Sequence, residues 1–215
     1  MKDLSYVFSK KSLTQLQDQE VDIPYLKRNI RIALIDDEPF PEVELIRNAG
    51  FNITQFYDIE SFDQLASYQI IVCDIQGVGK KFGHTLEGAY VVQQVKMEYP
   101  DKYIVVVSSK AASIAVSGMI ELADEKIQRG NSDALRAALN NGLQKVGSDI
   151  QRWKRLRNYL ITHKDADVFE VWKLEQEFIR SKQNGSNKSF LKYVDKHSGD
   201  IAKGMLVNFI SSLVF

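Results

Sequence analysis

Five side chains in this 215-residue sequence could do chemistry together. Asp36 and Asp37 close one apolar run, Asp74 closes a second, Ser108 a third, and Arg129 a fourth, more polar one. Three carboxylates gathered at one place repel one another and need a cation. Oxygen ligands in an open, hydrated setting suit Mg2+. A carboxylate flanked by a divalent ion, a hydroxyl and a fixed positive charge is a phosphoryl-acceptor arrangement, because metal and cation both stabilise charge on the oxygens of the transferring group. Asp74 is the natural nucleophile: it is central, and no acidic sequence neighbour shares its charge.

Such a site needs elements that bring the run ends to one edge. Residues 30–35, 70–74 and 103–107 are short, rich in β-branched residues and bounded by polar groups, as strands buried on both faces are. Residues 51–56 alternate apolar and polar, which suits an edge strand, and residues 125–128 form a short polar one. Between them lie helical stretches: 43–49, with Gly50 as a stop; 61–65, with Ser61 and Gln64 at capping-box spacing; 87–99, ended by Pro100; 111–122; and a helix capped by Asn131 or Ser132. Five strands alternating with five helices imply right-handed βαβ units. The expected fold is α/β, a five-stranded parallel doubly wound sheet over residues 30–146, followed by an all-α region over 147–215. In such sheets ligands bind beyond the carboxyl ends of the strands, where the five side chains would stand.

Composition allows one well-cored domain plus a smaller unit. Hydrophobic residues make up 44 % and charged residues 26 %, and the net charge is zero, which argues against a whole-chain polyanion binder. Residues 31–146 carry eleven Lys/Arg against sixteen Asp/Glu, and residues 147–215 twelve against eight, so an acidic unit precedes a basic one. The single cysteine, Cys73, lies inside an apolar run and reads as a buried small hydrophobe. One cysteine permits no intrachain disulfide, which fits a reducing, cytoplasmic setting. The sequence shows neither a signal peptide nor a spanning segment, so no membrane association is expected. Residues 1–29 form an extension in which Leu13, Leu16 and Val21 hint at a short helix and Pro24 interrupts before the first strand.

The blocks IALIDDE (32–38), IIVCD (70–74), IVVVSS (104–109) and ADEKIQRG (123–130) resemble, in order, the four motif blocks of the receiver (CheY-like) domain of bacterial response regulators. The resemblance covers a little over half the chain. It implies that Asp36 and Asp37 are the acidic metal pair for Mg2+, that Asp74 is the phosphorylated aspartate and a metal ligand, that the carbonyl of Gln76 is a further metal contact, and that Ser108 is the switch hydroxyl. It also implies a sensor histidine kinase, or another phosphodonor, as partner, and two-component signalling rather than enzyme turnover as the function. Departures stand beside it. Arg129-Gly130 replaces the family's Lys-Pro, and Arg for Lys is not a conservative exchange. Lys126 stands where the family often has the aromatic switch residue. The loop after Asp74 is longer by about half a dozen residues, and the Met-Pro that usually follows the aspartate is missing. A phosphorylation-independent, receiver-like scaffold is therefore the alternative.

In the last third, Leu135, Leu139, Gly142, Val146, Ile150, Trp153, Arg157 and Leu160 recur at heptad-like spacing. One long transmitting or dimerising helix fits that stripe; so do two helices bent near Gly147-Ser148. Helical patterns follow at 166–181, 190–194 and 201–213, with 183–187 read as a loop. This tail is expected to carry the output through a protein partner or a homodimer. Arg152, Lys154, Arg155 and Arg157 form a basic cluster that could touch a partner or a nucleic-acid backbone, although a solvated helix face is the ordinary outcome for such a run. Gly77-Val78-Gly79-Lys80-Lys81 lacks the first glycine and the Ser/Thr of a P-loop. His84, His163 and His197 lack metal-ligand spacing.

Overall fold

The computed structural model describes residues 11–16, 22–109 and 118–213. Five strands, β1 (Arg31–Ile35), β2 (Asn52–Phe56), β3 (Ile70–Asp74), β4 (Tyr103–Ser108) and β5 (Glu125–Gln128), form one parallel sheet of order β2-β1-β3-β4-β5. All four pairings are parallel, and β3 lies at the centre. This is the doubly wound, flavodoxin-like order, whose switch point falls between the first and third strands.

Period-two alternation sends successive β1, β3 and β4 side chains to opposite faces. Ile32, Leu34, Ile70, Val72, Val105 and Val107 pack on one side against α1 (Ile23–Asn29), α2 (Val43–Asn48) and α4 (Ser132–Val146). Ala33, Ile35, Ile71, Cys73, Ile104 and Val106 pack on the other, largely against α3 (Glu87–Glu98). Cys73 is buried there, and burial pushes its thiol well up, so it behaves as a small hydrophobe. The helix expected over 111–122 falls mostly outside the described residues; 118–120 are helical.

Two readings of the sequence change, and one left open is decided. Pro24 does not interrupt structure but sits in the first turn of α1, where its missing N–H costs nothing. Of the two readings of the stripe through Gly142 and Gly147, the structure has two helices with a bend at Gly147-Ser148. α4 ends at Val146, and Ser148, in extended backbone, caps α5 (Asp149–His163) by accepting from the Gln151 N–H. The expected loop at 183–187 is shorter, because α6 (Val168–Asn184) runs on to a left-handed Gly185.

Helices α5, α6, α7 (Lys188–His197) and α8 (Asp200–Ser211) bury a core of their own around Trp153, which stacks on Phe178 at 5.3 Å and meets Phe190 and Phe209. The extension divides between the two units: Leu26 of α1 is buried with the sheet, while Lys11 exchanges backbone bonds with the Gln176 amide of α6. Among the described residues no helix is long and apolar enough to cross a membrane.

The helical unit docks at the amino end of the sheet. Arg152 donates from Nε and Nη2 to Asp101 Oδ2 (2.9 and 2.5 Å) and reaches the Ser212 carbonyl and hydroxyl. Arg155 donates to the carbonyls of Asp101 and Lys102 and to both oxygens of Asp124. Asn208 of α8 donates to the Glu98 carbonyl of α3. Lys102, beside this junction, donates to the carbonyls of Ala66 and Tyr68, and burial pushes its ammonium down to about 7 from 10.5. The folded state then releases a proton that the unfolded chain keeps up to its higher pKa, so stability rises with pH across the window from about 7 toward 10.5. Urea denaturation at the two ends of that window is expected to show this rise in the native chain and its loss in Lys102→Met; an equal rise in both would contradict it.

Candidate functional site

At the opposite, carboxyl end of the sheet, β1, β3 and β5 deliver Asp36, Asp74 and Arg129 to one point. Asp36 is fully buried and Asp74 is 7 % exposed. The guanidinium of Arg129 straddles them, donating from Nη1 to Asp74 Oδ2 at 2.6 Å and from Nη2 to Asp36 Oδ1 at 2.9 Å. Its Nη2 is also 3.4 Å from Glu38 Oε2, and the guanidinium lies over the Phe40 ring. Arg129 is held there because β4 and β5 pair in register up to Ser108 and Gln128, and the Arg129 N–H then donates to the Ser108 carbonyl. A lysine would present one point charge; the planar fork of arginine can hold two carboxylates at once.

Each carboxylate keeps an oxygen outside this pair. Asp74 Oδ1 accepts from the Gln76 N–H at 3.2 Å, and Asp36 Oδ1 also accepts from the Glu38 N–H at 3.0 Å. Asp36 Oδ2 is buried and has no hydrogen-bond partner among the described residues. Burial pushes both carboxyls above their ordinary range, against the opposing pull of their backbone bonds and of Arg129. A buried carboxylate oxygen without a donor is costly, and a cation or a donor such as water would relieve it. Among the described residues no three His, Cys, Asp or Glu side chains already converge as ligands around one point. Asp37 is at the same edge but turned aside, paired with Lys80 at 3.2 Å.

The long loop after Asp74 is built onto the site. The Gly77 N–H donates to Glu87 Oε2 and the Gly79 N–H to Asp58 Oδ1, both at 2.6 Å, and Lys81 pairs with Glu60. Gly77, at φ +78°, lies so close to Asp37 that a Cβ would fall on its carboxylate. Gly88 in the first turn of α3 packs against the Asp74 carbonyl with no room for a Cβ. Asp58 and Glu87 were given no role in the sequence, yet Asp58 lies two residues past the end of β2. An acid just past a strand end was the available signal.

Ser108 closes β4 beside Asp74, which pairs with Val107 in the register. Lys126 is exposed and pairs with Glu121. Of the basic cluster, Arg152 and Arg155 are spent on the junction described above, so they do not form a basic surface; Lys154 and Arg157 are exposed, and Arg157 pairs with Glu175 at 3.1 Å. Amphipathic spacing alone could not show which face of α5 was docked.

No protein-family model matches the chain, and no curated protein does. Solved structures do. A CheY-like response regulator receiver domain protein from Methanospirillum hungatei JF-1 is 16 % identical, with 55 % of this chain covering 96 % of that one at a TM-score of 0.45. A response regulator receiver domain protein from Clostridium thermocellum is 18 % identical over 54 % of this chain and 94 % of its own, TM-score 0.45. A response regulator from Thermotoga maritima in complex with Mg2+-BeF is 20 % identical over 52 % and 97 %, TM-score 0.43. The described residues from Asp149 to Ser211 form helices joined by short connections.

Proposed function

We propose that this chain is a receiver-type signalling protein that accepts a phosphoryl group on Asp74 and passes the change to its helical unit. The observation that carries this reading is the pairing of Asp74 with a buried, half-unpartnered Asp36 under one arginine at the carboxyl edge of the central strand. The donor set fits Mg2+: Asp36 and Asp74, with Asp37 and the Gln76 carbonyl at the same edge, would hold it, and a bound divalent ion supplies charge stabilisation for the transferring group. Asp74 supplies the nucleophilic oxygen. Arg129, already hydrogen-bonded to Asp74, can keep its charge on the new phosphoryl oxygens by a small rotation. The hydroxyl of Ser108, one strand away, is the donor expected to follow the added charge.

The route to the helical unit follows from chain order. β4 runs from Asp101-Lys102, which Arg152 and Arg155 hold, to Ser108. β5 runs from Asp124, which Arg155 holds, to Arg129. The same two strands therefore end in the site and begin in the junction, roughly 17–20 Å apart at about 3.3 Å per residue. Val168 and Phe169 stand exposed at the start of α6, and they suit contact with a protein partner or a second copy. A sensor histidine kinase, or another phosphodonor, would act on Asp74.

A second reading, a phosphorylation-independent scaffold, is favoured by one observation: the 2.6 Å pair with Arg129 already balances the Asp74 charge. Incubation with acetyl phosphate and Mg2+, followed by intact mass, separates the two. The first reading expects a gain of one phosphoryl group; no gain leaves the scaffold.

A further inference from the structure

Where the helical unit meets the sheet, the packing leaves a partly open cavity of about 250 Å3. α3 lines it with Lys96, the segment before β5 with Leu122 and Asp124, and α5 with Arg155, Asn158, Tyr159 and His163. It lies at the edge of the sheet remote from Asp74.

The balance of donors and acceptors in it is uneven. Asp124 is saturated: its oxygens accept from Arg155, both at 2.8 Å, and Oδ2 also accepts from the Ile104 N–H. Glu121 is paired with Lys126. Lys96, by contrast, is a nearly enclosed ammonium, its side chain 13 % exposed, and its nearest acid oxygen is Asp124 Oδ2 at 3.7 Å, beyond hydrogen-bond reach. An ammonium has three donors to satisfy, and burial lowers the pKa of Lys96 from its ordinary value. The buried Tyr159 hydroxyl, lining the same cavity, likewise makes no hydrogen bond to another described residue, while the neighbouring Asn158 is exposed. The Tyr159 ring stacks on His163 at 4.8 Å, so part of the lining is flat and apolar.

We propose that this cavity binds a small organic anion, its carboxylate or phosphate on Lys96 and its flat body against Tyr159 and Leu122. The volume equals roughly eight waters at bulk density, enough for a single-ring acid and too little for a dinucleotide. Such a ligand bridges α3 and α5 and thereby strengthens the seat of the helical unit on the sheet.

The test uses the full chain carrying Asp74→Asn, in EDTA, to keep anions off the other site. Benzoate and phenyl phosphate serve as probes and benzyl alcohol as the uncharged control, read by thermal shift and calorimetry. A dose-dependent rise in melting temperature with either anion, and none with the alcohol, supports the proposal; benzoate alone assigns a carboxylate and phenyl phosphate alone a phosphate. Adding Lys96→Met is expected to weaken binding about tenfold or more, as loss of a charged hydrogen bond does. Should that variant not fold, Tyr159→Phe is expected to weaken it several-fold. No shift with either anion, an equal shift with benzyl alcohol, or undiminished affinity in the folded variant would overturn the proposal.

Discussion

Arg152→Met is expected to destabilise the chain by about 3–5 kcal/mol, the cost of breaking a buried ion pair from one side. Arg152 is 4 % exposed and Asp101 2 %. Burial works to raise the Asp101 carboxyl, yet Arg152 and Lys102 hold it below its ordinary value, so it is charged and depends on its partners. Removing the guanidinium strands that charge between the two units and also frees the Ser212 carbonyl at the end of α8. Asp101→Asn combined with Arg152→Met is expected to cost less than the sum of the single changes, since neither charge is then left alone. Urea denaturation followed through Trp153 fluorescence reads both. A loss below about 1 kcal/mol, the range of exposed pairs, would mean that this contact does not hold the helical unit to the sheet.

The second large effect belongs to Arg129. Arg129→Ala removes the cation shared by Asp36 and Asp74, whose side chains are 0 % and 9 % exposed. Burial works to raise both carboxyls and Arg129 works against it, so losing the guanidinium is expected to favour proton uptake by one of them. That escape limits the cost to about 2 kcal/mol, less than the full figure for a stranded buried charge. The variant should also become Mg2+-dependent in stability, gaining about 2.7 kcal/mol at a hundredfold excess over Kd. Denaturation with and without Mg2+ checks this. An Arg129→Ala chain indifferent to Mg2+ would remove Asp36 and Asp74 from the metal assignment.

The sheet was legible because β1, β3 and β4 are buried on both faces, and a strand in that position must be a continuous apolar run. β2 announced itself as an edge by alternation, and it lies at the edge. The acids were legible because they sit at the carboxyl ends of strands, Asp74 closing β3 and Asp36-Asp37 following β1. What the sequence could not display was pairing across 55 or 93 residues: that Arg129 would hold both Asp74 and Asp36 depends on a fork geometry that spacing does not encode. The same limit applied to α5. Arg152 and Arg155 look like surface charge in a helical repeat, and only the acids at the amino ends of β4 and β5 turn them inward. The break at Gly147-Ser148 was open for a different reason. A heptad-like stripe continues through a capped bend whenever both helices bury the same side, so periodicity alone could not decide between one helix and two.

The central claim is that Asp74 is a phosphoryl acceptor, and the most direct measurement of it is the site of transfer. The native chain is incubated with acetyl phosphate and Mg2+, the acyl phosphate is trapped by borohydride reduction, and the peptides are mapped by mass. A single modified position, Asp74, is expected, with no modification in Asp74→Asn, because a carboxamide cannot form the acyl phosphate. A chain that gains no phosphoryl group, or one that gains it equally in Asp74→Asn, would contradict it.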